Sequence, residues 1–115
     1  MLSLNSSCRY FLYREPTDMR CGIYSLAGLV RNSLKQNPLS GDVYIFIGKA
    51  GNQLRLLQWD NDGFALYIKR LERGTFERPW GGKHELSVRE LTLILQGIKL
   101  DSVQLRKRYT AVKVA

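Results

Sequence analysis

The sequence predicts an α+β fold: a single domain in which an antiparallel meander sheet of four to five strands carries two helices packed on one face. Three observations lead there. One segment has helical periodicity and a second has helix-capping chemistry. The short apolar runs around them are separated by turn residues. The chain, at 115 residues, has the length of one domain. Consecutive strands joined by short turns must be antiparallel, and helices outside such a run collect on the sheet.

Residues 9–13 form a short aromatic-rich run and are expected as the first strand, stopped by Pro16. Thr17 or Asp18 can then cap a helix through a side-chain oxygen. Met19, Ile23, Leu26, Ala27, Val30 and Leu34 make one apolar stripe at about 3.6 residues per turn. Asn37-Pro38 ends that helix, and Ser40-Gly41-Asp42 is a turn. Residues 43–47 are apolar on both sides and read as a central strand. Strands at 54–59, 64–70 and 75–77 follow, with turns at 48–52, at Asn61-Asp62-Gly63 and at Arg73-Gly74. Ser87-Val88-Arg89-Glu90 is a capping box, with Leu86 and Leu91 as its hydrophobic staple. The second helix should start at Ser87 and stop at Gly97, burying Val88, Leu91, Ile94 and Leu95. Residues 1–103 are taken as the domain, and 104–115 as a basic, loosely held segment.

Charge is the unusual quantity. Lys plus Arg is 18 against 10 for Asp plus Glu, a net charge of +8. Each half of the chain nets +4: seven basic and three acidic groups in 1–57, eleven and seven in 58–115. The folded surface itself is therefore expected to be basic, which favours a polyanionic partner or, in the bland alternative, plain solubility. No apolar run exceeds five residues, against about 20 for a membrane helix, so no membrane partner is expected. Residues 1–7 lack the basic and apolar regions of a secretory signal, and with two incidental cysteines the expected compartment is the cytoplasm.

No catalytic, metal or cofactor set is expected. Cys8, Cys21 and His84 lack the paired short spacings of a zinc site. Asp60 and Asp62 fall in a turn that lacks the spacing and final Glu of a calcium loop, and Glu72 and Glu77 complete no recognisable cluster. The cations are more informative. Arg20, Arg31 and Lys35, with Tyr24, would lie beside the apolar stripe of the first helix. There they could track phosphates or simply lay their stems along the core. Lys69, Arg70 and Arg73 crowd a tight turn, and Arg106, Lys107 and Arg108 lie in the final segment. In the hairpin, a three-residue loop pairs Asp60 with Phe64 and groups Arg55, Leu57, Trp59, Tyr67 and Lys69 on one face, a mixture of cations and rings suited to nucleic acid. A two-residue loop instead places Leu57 and Trp59 with Leu66 and Ile68. The three-residue register is the expectation.

Several ordered motifs go further. They are Pro16-Thr17-Asp18-Met19-Arg20-Cys21-Gly22-Ile23, Leu26-Ala27-Gly28-Leu29-Val30, and Pro38-Leu39-Ser40-Gly41-Asp42-Val43-Tyr44-Ile45-Phe46. Leu56-Leu57-Gln58-Trp59-Asp60-Asn61-Asp62-Gly63-Phe64 and Tyr67-Ile68-Lys69-Arg70-Leu71-Glu72-Arg73-Gly74-Thr75-Phe76 follow. Together they resemble the TnpB accessory protein of the insertion sequence 66 family of bacterial transposable elements, over residues 4–100. This TnpB is unrelated to the RNA-guided nuclease that shares the label. The resemblance implies a non-catalytic part in transposition, with strand transfer left to a separate transposase. It carries over no catalytic residue. Taken with the basic surface, it makes DNA, the transposase and a sister accessory protein the expected partners, the alternative being an interaction module that docks on the transposase without direct DNA contact. The sequence departs from the family pattern at Cys21, where a basic residue is usual, at Tyr24-Ser25, and in the turn 48–53, which has one cation where relatives have several.

Overall fold

The computed structural model describes residues 7–79 and 84–97. In chain order these form β1 (Tyr10–Leu12), α1 (Ile23–Asn32), β2 (Val43–Ile47), β3 (Gln53–Asp60), β4 (Gly63–Arg70), β5 (Glu85–Leu86) and α2 (Val88–Gln96). The single sheet has the order β4-β3-β2-β1-β5. An α+β domain with a mostly antiparallel five-stranded sheet is therefore present.

Two features of the expected sheet need correction. First, it is mixed: β1 runs parallel to β2, with Tyr10 opposite Val43 and Leu12 opposite Ile45. The antiparallel rule holds only for strands joined by short turns, whereas 13–42 form a long connection containing α1 that returns the chain in the same direction. Second, the helices lie on opposite faces. Tyr10, Leu12, Val43, Ile45, Ile47, Leu54 and Leu56 pack with Leu91 and Ile94 of α2. Phe11, Tyr44, Phe46 and Leu57 pack with Leu26, Ala27 and Val30 of α1. Every residue of β2 is at most 1% exposed, so both faces of this strand need a covering layer.

Capping explains the helix boundaries. α1 starts at Ile23 rather than near Met19, and its N-cap Gly22 offers no side-chain bond. Asp18 instead closes a turn of its own, accepting from the Arg20 N–H at 2.9 Å. Thr17 before it forms a parallel bridge to Gly48, which continues the line of the β1–β2 pairing beyond Ile47. α2 follows its capping box. The Ser87 hydroxyl accepts from the Glu90 N–H at 3.0 Å, and the Glu90 carboxylate accepts from the Ser87 N–H at 2.9 Å. Gly97 ends α2 in the left-handed region at φ 79°.

The expected strand at 75–77 is absent. The segment crosses the end of the sheet instead: Leu71 N–H donates to Asn52 O, and Phe76 N–H donates to Gly51 O. This carries Phe76 into the core beneath α2. The fifth strand is β5, which pairs antiparallel with β1 just ahead of α2. The boundary at 103 and the segment 104–115 lie outside the described residues.

Candidate nucleic-acid interface

Register decides which side chains β3 and β4 present. Asp60 pairs with Gly63 and Trp59 with Phe64, which leaves Asn61-Asp62 as a two-residue loop. The three-residue register is therefore overturned. Asn61 takes φ 59°, and the Asp62 N–H donates back to Asp60 O at 2.6 Å, a three-residue closure that needs no extra loop residue. Asn tolerates that left-handed backbone better than most residues. On the face toward α1 stand Arg55, Leu57, Trp59, Phe64, Leu66 and Ile68. Toward α2 stand Leu54, Leu56, Tyr67 and Lys69. The expected platform of Arg55, Trp59, Tyr67 and Lys69 does not form.

Arg55 has a structural task. Its guanidinium donates to the carbonyls of Cys21 at 2.7 Å and Met19 at 2.6 Å, tying the entry to α1 onto the sheet. Arg14 similarly donates to Pro79 O at 2.6 Å, and Arg78 donates to Gly48 O. Arg9 pairs with Asp42 at 3.4 Å and lies over the Phe11 ring.

The residues chosen from sequence divide into several groups. Arg20 is exposed but ion-paired to Asp18 at 2.6 Å. The Arg20 guanidinium holds the Asp18 carboxyl well below the usual carboxylate range. Because α1 covers only residues 23–32, Arg20 and Lys35 are not on its surface, and the expected ridge with Tyr24 breaks up. Arg31 lies exposed in the last turn of α1. Lys35 lies exposed beyond it at φ 56°, where Gln36 N–H donates to Val30 O. Lys69, Arg70 and Arg73 do meet. They line an open depression of about 500 Å³ with Glu72, Leu95 and Gln96. Lys69 is half-buried there, with its Nζ 3.5 Å from the Leu95 carbonyl. A cation at that position complements the negative end of α2. Arg70 and Arg73 are exposed. Arg106, Lys107 and Arg108 lie outside the described residues.

Two further cations are exposed, Lys49 in the β2–β3 turn and Arg89 in the first turn of α2. For Arg89 the signal was in the capping box, because the stripe of Val88, Leu91, Ile94 and Leu95 leaves it off the buried face. An aromatic cluster joins the first turn of α1 to the hairpin: Tyr24, 85% exposed, meets Phe64 edge-on at 6.4 Å, and Phe64 meets Trp59 at 5.1 Å. Among the described residues no helix is long and apolar enough to cross a membrane.

Comparison with known proteins now bears on this surface. The model of the IS66 Orf2 like protein family matches residues 8–105. The chain belongs to the IS66 Orf2-like family. Membership implies a role in the transposition of insertion sequences. Uncharacterized protein y4hO of Sinorhizobium fredii is 40% identical over 100 residues, covering 85% of this chain and 87% of that relative. Uncharacterized protein y4jC of the same organism is 31% identical over 117 residues, covering the whole of both. No solved structure matches. In this IS66 Orf2-like chain, Cys21 lies half-buried at the entry to α1, with its carbonyl held by Arg55.

Proposed function

We propose that this IS66 Orf2-like protein is a non-catalytic accessory of transposition that binds duplex DNA through its exposed cations and leaves the chemistry to the element's transposase. The observation that supports this reading is the division of labour among the basic residues. Arg9 and Arg20 are taken up by Asp42 and Asp18, while Arg14, Arg55, Arg78 and Lys69 are spent on backbone carbonyls. Arg31, Lys35, Lys49, Arg70, Arg73 and Arg89 stand exposed on a chain of net charge +8. Exposed Lys and Arg side chains of this kind can reach phosphates, and each such contact releases counterions.

A second reading is docking on the transposase or a sister accessory protein without DNA contact. The 85% exposure of Tyr24 beside Phe64 favours it. Titration of duplex DNA from low to physiological salt tests the first reading, with binding expected to weaken steeply as salt rises. No association at low salt would sink the DNA reading. Capture of the transposase in the absence of DNA would then carry the second.

A further inference from the structure

We infer that two copies of this chain pair through the outer edge of β4, antiparallel, into a two-fold dimer with a continuous ten-stranded sheet. β4 is the end strand of the sheet, and its one neighbour among the described residues is β3. It is eight residues long, against three for β1 and two for β5. The Leu71 N–H bonds to Asn52 O. The alternation of an antiparallel ladder then turns the backbone groups of Leu54–Lys69, Leu56–Tyr67 and Gln58–Ala65 toward one another. The N–H and C=O groups of Phe64, Leu66, Ile68 and Arg70 consequently point away from the sheet. Such an edge is a template for another strand unless Pro, a bulge or an inward charge blunts it, and residues 64–68 have none of these. Tyr67 and Ile68 are 42% and 49% exposed, large for apolar side chains in a strand.

Charge selects the occupant. The exposed Asp60, which ends β3, and Asp62, in the loop, lie beside the start of β4, and Lys69 and the exposed Arg70 lie at its end. The strand is therefore complementary to itself when reversed. Leu66 of one copy can face Leu66 of the other. In that register Phe64 faces Ile68, and Asp62 comes level with Arg70, each twice by symmetry. Phe64, Leu66, Ile68 and Arg70 share the α1 face, and Asp62 lies in the loop just before the strand, so the seam is apolar at its centre with an acid–base pair at each end. This is the isologous arrangement a two-fold interface requires. It draws Arg70 into the seam and leaves Arg31, Lys35, Lys49, Arg73 and Arg89 to the DNA reading.

Sedimentation equilibrium of the full chain over a range of concentrations tests the proposal. A reversible dimer is expected. Asp62→Lys and Arg70→Asp should each weaken it roughly tenfold or more, because each sets like charges together at both ends. Mixing these two variants should restore a heterodimer, since every end then pairs opposite charges. Ile68→Pro removes an outward N–H and leaves the bonds to β3 intact, so it should give a folded monomer by circular dichroism. A wild-type chain that stays monomeric, as it would with its own C-terminal residues or a transposase strand on this edge, overturns the proposal. A dimer indifferent to all of these changes overturns it equally.

Discussion

Asp18 and Lys35 show how single residues set local geometry here. Asp18 accepts from the backbone and guanidinium of Arg20, and its carboxyl is held well below its ordinary range, chiefly by the side-chain bond to Arg20. A depressed carboxylate stabilises the fold above its unfolded value, near about pH 4, and loses that contribution as pH falls below it. Asp18→Asn should therefore melt below wild type at neutral pH, and the gap should close on acidification. A gap that persists unchanged into strong acid would show that the pair does not act through charge. Lys35 works against its own backbone. It sits at φ 56° just past α1, where a glycine is the usual residue, while Gln36 N–H reaches back to Val30 O. Lys35→Gly should raise stability by up to about 1 kcal/mol, measured by urea denaturation, because the left-handed conformation no longer costs a Cβ clash.

At the scale of elements, legibility followed the locality of the signal. The second helix could be read because Ser87, Glu90 and Gly97 act within a few residues of one another, and the structure reproduces both of its ends. Ser87→Ala should lower stability by about 1 kcal/mol, since it leaves the Glu90 N–H without its acceptor. Unchanged melting would mean that α2 is held by Leu91 and Ile94 alone. β2 carried its own message too. An unbroken apolar strand implies burial on both faces, and that requirement places α1 and α2 on opposite sides; the one-sided arrangement overlooked it. The hairpin was harder, because Asn61-Asp62-Gly63 is compatible with two loop lengths, and one residue of slip exchanges the faces of every side chain in β4. The parallel pairing of β1 was not local at all, since it depends on where a connection of thirty residues returns.

For the whole molecule, the question is which of its cations remain available to a partner. Sequence alone counts eighteen basic residues as equals. The fold makes them unequal: Arg55 clamps the entry to α1, whereas Arg31, Arg70, Arg73 and Arg89 hold out their charge at the surface. This difference separates two observables. Arg55→Met leaves the Met19 and Cys21 carbonyls without their donor, at a cost of about 1–3 kcal/mol in stability. It should leave the salt dependence of DNA binding close to wild type, because that guanidinium faces protein. Replacing exposed Arg31, Arg73 and Arg89 by Gln should do the reverse. Exposed substitutions shift stability by less than about 0.5 kcal/mol each. Each lost phosphate contact should also reduce the slope of log affinity against log salt by about 0.9. Melting curves and salt titrations on the same set of variants read both effects together. If Arg55→Met flattened the salt slope while the triple variant left it unchanged, the division between structural and available cations would be wrong. The DNA-facing surface would then have to be sought around the entry to α1 instead.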